Sequence, residues 1–444
     1  MTADETGAEA QAPAGLTTPG LTPFQRAKAI VGGSAGNLVE WYDWFAYSSF
    51  ALYFAPHFFP KGDTTAQLLQ TAAIFAVGFF ARPLGAWLMG LYADRKGRRA
   101  ALALSVGMMC AGAFAIAILP DARQIGAWAP LGLLLARILQ GLSVGGEYGA
   151  SATYMSEMAG RARRGFWASF QYVTLIAGQL LALAVLVLLQ NVMDPATLED
   201  WGWRIPFAIG ALLAVVVFWI RAGMDESPSY VAAKAEGAER ARTMMLFARY
   251  PRESAIIFVL TAAGSLAFYA YTTYMQKFLV NTAGFSKGAA TGVTAVALIV
   301  YMAAQPLFGW LSDKLGRKTT IGFAFLGGAI ATYPVMSAIA AGPSQAGALA
   351  LVTLLLLLLS GYTAVSGLVK AELFPAHVRA LGVALPYAIA NAMFGGTAEY
   401  AALWFKDVGA ESGFYVYVSV VMAAGFLVAV RLRNTNVHSL IRED

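Results

Sequence analysis

The 444 residues are 58% hydrophobic and 13% charged, with a mean hydropathy of +0.60. Soluble domains carry about 25% charged residues, so a soluble enzyme, a disordered scaffold and a fibrous protein are all excluded. One cysteine, Cys110, leaves no internal disulfide, and the net charge of +6 must be explained by where the basic residues fall.

Residues 1–27 are rich in Ala, Gly, Thr and Pro and read as a disordered tail, without the basic start and apolar core of a signal peptide. A membrane helix needs about 20 apolar residues. Spans of that kind are predicted near 29–54, 68–92, 100–119, 129–157, 165–190 and 204–223. A polar stretch at 224–252 reads as a cytoplasmic linker. Six more spans follow near 254–281, 290–311, 319–340, 346–371, 380–405 and 412–432, and 434–444 form a short tail. The expected fold is all-α, with twelve transmembrane helices in two six-helix halves, 28–223 and 253–433.

An even number of spans puts both termini on one side. The loops and tails of that side hold 22 of the 31 Lys and Arg residues, and the opposite side holds six. By the positive-inside rule both termini are expected in the cytoplasm. The basic excess then belongs to loops and needs no nucleic acid.

The two halves repeat. Gly90-x-x-x-Asp94-x-x-Gly97-Arg98-Arg99 recurs 219 residues later as Gly309-x-x-x-Asp313-x-x-Gly316-Arg317-Lys318. Glu157 and Arg164, seven apart, recur 215 residues later as Glu372 and Arg379. Parallel repeats of six helices are a transporter architecture. Glycine permits a tight turn, and a carboxylate at an inner helix end can pair with Arg or accept from a neighbouring helix start. For Asp94, Arg98, Glu157, Arg164, Asp313, Arg317, Glu372 and Arg379 a role in conformational gating, as a latch between helices, is mostly what the resemblance given below implies. The plainer reading is that the positive charges only fix topology.

Ionisable residues inside spans are costly and mark a pathway or a partner. Glu40 and Asp43, three apart on the first span, share a helix face. Two carboxylates in a partly dry cavity do not both ionise cheaply, which suits a proton carrier. Arg137, beside Gln140 on the fourth span, is placed to neutralise one of them. Asp43–Arg137 is the expected coupling pair, with Glu40 the other candidate for the proton and a static buried ion pair the alternative. Arg82 on the second span has the planar fork that binds a carboxylate bidentately; its rival role is an internal partner of Glu40 or Glu147. A second cation is available in Lys277, which shares a three-residue spacing with Tyr274 and Tyr271. Snorkelling of Lys277 to the interface is the competing expectation. Gln171, Tyr172 and Gln179 on the fifth span suit neutral hydrogen bonds to a ligand, or glue between helices. Glu147, in a glycine-rich stretch, is a further proton-route candidate with a structural hydrogen bond as the alternative, and Glu399, with Asn391 on the same eleventh span, is read in the same way. His57, His377 and His438 fall outside the spans. No Walker loop and no His-Glu-x-x-His site occur, so no cofactor, no metal and no enzyme activity are expected.

Several motifs carry a resemblance. Gly90 to Arg99, the Arg137-x-x-Gln140-Gly141-x-x-x-Gly145 run and Asp225-Glu-Ser-Pro228 resemble signatures of the major facilitator superfamily. Gly36-Asn-Leu-Val-Glu40-Trp-Tyr-Asp43 and Gln140-Gly-Leu-Ser-Val-Gly-Gly-Glu147 resemble the metabolite–proton symporter family within it. Phe170 to Gln179, Tyr274 to Gly284 and Lys370 to Gly382 are similar to its α-ketoglutarate permease branch. The resemblance implies a monomeric inner-membrane symporter importing α-ketoglutarate or a related carboxylate with protons, by alternating access. It also implies an acid–arginine pair where Asp43 and Arg137 stand; Gln140, beside Arg137, is counted among the expected substrate contacts. Citrate, shikimate and betaine are the alternative cargoes. A metabolite sensor is the rival from another class; it needs an output domain, for which the linker and tail leave no room.

Overall fold

A computed structural model of the chain describes residues 23–96, 98–144, 156, 163–222, 246 and 249–432, and among these it contains helices and no β-strand. The first half contributes α1 (Pro23–Phe58), α2 (Thr64–Lys96), α3 (Arg98–Ile118), α4 (Trp128–Val144), α5 (Phe170–Val192) and α6 (Ile205–Ala222). The second contributes α7 (Pro251–Tyr271), α8 (Lys287–Leu315), α9 (Arg317–Ala340), α10 (Gln345–Thr363), α11 (Ala376–Ala390) and α12 (Glu411–Arg431). Helix starts follow local chemistry: the hydroxyls of Ser286 and Ser344 cap α8 and α10, and proline opens α7 at Pro251.

Three predicted spans are interrupted. The seventh breaks at Thr272–Tyr274 and resumes as Met275–Asn281. The tenth breaks after Thr363 and resumes as Ser366–Glu372. The eleventh passes through a π-helical turn, Asn391–Gly395, before continuing as Ala398–Asp407. Uniform hydropathy hides such breaks, because they change backbone geometry and not polarity.

The packing repeats with the sequence. In the first half α1 lies on α5, α2 on α4 and α3 on α6; in the second, α7 lies on α11, α8 on α10 and α9 on α12. The halves meet through α5 against α8 and α2 against α11, themselves a symmetry-related pair. Large apolar side chains such as Trp87, Phe114, Leu212 and Ile330 face outward, as lipid contact requires. Polar side chains gather inside instead. Twelve crossings return the chain to the end where it began, called here the termini end.

Candidate functional site

One stripe of α1 organises the centre. Glu40, Asp43, Trp44, Tyr47 and Ser48 recur at helical spacing and are all buried. Between them they meet α2, α4 and the second half, so α1 acts as the spine of the site.

Arg82, on α2 one residue before Pro83, is 7% exposed. Its guanidinium carbon lies 3.9 Å from the Trp44 ring, 4.3 Å from Phe79 and 5.3 Å from Trp41. Aromatic faces stabilise a desolvated cation without using its hydrogen-bond donors. Nε and Nη2 accordingly have no hydrogen-bond partner among the described residues. Glu40, Tyr269 and Tyr387 are within electrostatic reach of Arg82. The Tyr269 ring packs against the π-helical turn, where a Cβ on Gly395 would stand 2.9 Å from it and 2.5 Å from Asn391 Oδ1, so α7 and α11 close the site from the second half.

Arg137 on α4 is fully buried and stacks on the same indole, 3.9 Å from Trp44 and 4.4 Å from Tyr47. Its Nη1 donates to Gln140 Oε1 at 2.8 Å, and Gln140 Nε2 donates to Asp43 Oδ2 at 2.6 Å. The expected Asp43–Arg137 pair is thus joined through an amide. Gln140 has both ends of its side chain committed to that bridge.

Lys277 does not snorkel. It is fully buried, and its Nζ lies 2.8 Å from Glu399 and 2.5 Å from the Ser48 hydroxyl. The break at Thr272–Tyr274 splits the expected face of Tyr271, Tyr274 and Lys277. Tyr271 hydrogen-bonds Thr332 on α9, and Tyr274 packs on Phe278 and Phe414, so neither joins Arg82. Gln171 and Tyr172 are buried on α5, and the Tyr172 ring meets Phe268 of α7 edge-on at 5.9 Å.

Near the termini end, Asp313 at the end of α8 reaches across to the other half. Its two carboxylate oxygens accept from the backbone N–H groups of Gly165 and Phe166 at 2.8 and 3.0 Å. These belong to the short helix Arg164–Ala168 that leads into α5. Arg317 donates to Asp313 at 2.7 Å and to Ser312 at 3.0 Å. The turn that sets this geometry is Gly316, at φ +92°, a conformation L side chains rarely adopt. The crossing is so tight that a Cβ on Gly165 would stand 2.5 Å from the Gly309 carbonyl oxygen. Arg164, Glu372 and Arg379 are buried as well, and Arg379 Nε donates to the Phe374 carbonyl at 3.3 Å. Glu147 and Glu157 lie outside the described residues, as do the side chains of Asp94 and Arg98.

Trp44, Ser48 and Tyr269 were not singled out by the sequence, although Trp44 and Ser48 follow Glu40 at the i+4 and i+8 positions that the helix-face rule marks. Tyr269 carries no such signal.

The chain matches the sugar (and other) transporter family over residues 28–249 and 241–442. The chain belongs to that family, within the major facilitator superfamily. This family member is therefore a transporter and not an enzyme. It is 54% identical to the α-ketoglutarate permease of Escherichia coli K12 over 92% of this chain and 94% of that one. It is 33% identical to the citrate–proton symporter of Klebsiella pneumoniae, over 84% and 83%. A xylose transporter of E. coli in an inward-open conformation shares the fold, with a TM-score of 0.71 at 19% identity over 94% of this chain and 99% of that one. Membership makes the twelve-helix bundle a multi-pass inner-membrane protein.

Proposed function

We propose that this protein is a proton-coupled symporter that imports α-ketoglutarate or a closely related dicarboxylate by alternating access. The observation that carries the reading is Arg82, a buried guanidinium on an aromatic platform with two donor atoms uncommitted. A fork held in this way recognises a carboxylate. The 54% identity to the E. coli α-ketoglutarate permease supports the substrate class, and the citrate–proton symporter supports citrate as runner-up.

Lys277 is the second cation. Arg82 stacks on Trp44 and Lys277 bonds Ser48, four residues further along α1. One helical turn, about 6 Å, separates those two positions. That spacing suits the two carboxylates of a short dicarboxylic acid, one held by each half. Tyr269, Asn391 and Gln171 are the neutral donors available to the keto group.

The proton acts through Gln140. Ionised Asp43 accepts from the Gln140 amide nitrogen, which leaves the amide oxygen for Arg137. Protonated Asp43 becomes a donor and prefers the amide oxygen. The amide then turns over, Arg137 loses its acceptor, and its guanidinium is released toward substrate. Glu40 beside Arg82 keeps that arginine neutralised between cycles. Rocking of halves 28–223 and 253–433 about the site, linked by 224–252, alternates access; the Asp313 cap on the short helix leading into α5 holds the termini end shut. The Lys and Arg asymmetry supports a cytoplasmic termini end; we read the carrier as a monomer driven inward by the proton gradient.

The test is competition. Cells lacking other dicarboxylate carriers and expressing the protein should take up radiolabelled α-ketoglutarate saturably. Unlabelled α-ketoglutarate should compete well and betaine poorly. Strong competition by betaine with none by dicarboxylates contradicts the reading.

A further inference from the structure

The Lys277–Glu399 pair is not used by the proton route through Asp43. It is fully enclosed: Lys277 is 0% and Glu399 3% exposed. It also spans the two halves, because Ser48 of α1 donates toward Glu399 at 3.4 Å and accepts from Lys277. A buried ion pair is poorer glue than apolar packing of the same volume, and inside a membrane protein it is a functional candidate by default.

We propose that Glu399 is a second proton-carrying group, and that Glu399 and the distal carboxylate of the substrate compete for Lys277. The inference rests on the dicarboxylate reading above. Its logic is charge balance. Removing Lys277 from an ionised Glu399 would strand a buried carboxylate, which is strongly disfavoured. A substrate carboxylate can therefore take Lys277 only when a proton neutralises Glu399 at the same time. The proton comes from water on the entry side, adds to a Glu399 carboxylate oxygen, and leaves on the exit side when Lys277 returns. Only an O–H bond forms and breaks.

The surroundings of Glu399 fit this role. From α1 it is faced by Ser48 and, within electrostatic reach, Tyr47; from the α7 side by Lys277 and Tyr274. On α2, Phe79 packs against Gly396, one turn away. Beside α12, Glu411 is taken up by Thr282 and Lys406. Lys277 is thus the cation paired with Glu399. With one proton at Asp43 and one at Glu399, a dianion crosses with no net charge.

The test is titration calorimetry of the purified full-length protein with α-ketoglutarate, in buffers of different protonation enthalpy, which counts protons taken up per ligand bound. The wild type should take up about one proton more than Glu399→Gln, and the variant should keep its affinity within a few-fold. Glu399→Asp should restore the count. Lys277→Met/Glu399→Gln, which removes both charges and so avoids a stranded one, should bind more weakly and show the same reduced count. Equal counts in wild type and Glu399→Gln overturn the second proton site alone. A folded wild type that binds no dicarboxylate overturns the substrate reading, and this proposal with it.

Discussion

Asp43 and Arg137 are joined by one amide: Gln140 accepts from the arginine at 2.8 Å and donates to the carboxylate at 2.6 Å. A direct ion pair resists separation, whereas an amide turns over when one partner gains a proton. The relay links the protonation of α1 to the freedom of a cation on α4.

The first prediction concerns that relay. Gln140→Leu leaves Asp43 and Arg137 each short of a buried partner, at a cost of about 1–3 kcal/mol. Accumulation driven by a pH gradient should fall roughly tenfold or more. Exchange of labelled for unlabelled substrate, which needs no net proton movement, should fall less. Proteoliposome uptake and counterflow assays compare the two, and equal losses would argue for a purely structural Gln140.

The second concerns Arg82. Lysine keeps the charge but lacks the planar fork, and its compact ammonium stacks less well on Trp44. Arg82→Lys should weaken binding about 10- to 100-fold, on the order of 1.5–3 kcal/mol for a hydrogen bond to a charged group. Calorimetric titration measures it. Trp44→Leu, which removes the platform under both arginines, should do at least as much harm.

The third concerns the latch. Asp313 accepts two backbone N–H bonds at the start of the short helix Arg164–Ala168 that leads into α5, where a carboxylate is a favourable partner for unpaired N–H groups. Asp313→Asn should slow turnover severalfold while leaving substrate affinity in detergent within about threefold. Gly165→Ala should act in the same direction, because its Cβ would press on the Gly309 carbonyl and force α5 from α8. Labelling rates of single cysteines placed along α5 and α8 near the termini end check both, and unchanged accessibility with normal transport would remove the latch role.

Much of this was legible in sequence because it rests on local rules. The 219-residue repeat forecast two halves of like packing, and α1 with α5 and α7 with α11 follow it. Helix spacing put Glu40 and Asp43 on one face, and membrane cost marked Arg82, Arg137 and Lys277 as residues needing a reason. Tertiary distance hid the rest. Lys277 and Glu399 are 122 residues apart, so nothing local pairs them. Tyr274 was assigned by a three-residue spacing that holds only in a continuous helix, and the break at Thr272 ended it. Gln140 was read as a substrate contact because its neighbours across the bundle are invisible along the chain.

The most direct test is accumulation of radiolabelled α-ketoglutarate in proteoliposomes holding wild type or Arg82→Lys, with and without an inward proton gradient. The account predicts saturable uptake by the wild type that overshoots equilibrium only when the gradient is present, and little overshoot by the variant at the same substrate concentration. Wild-type uptake indifferent to the gradient, or a variant equal to wild type, would contradict it.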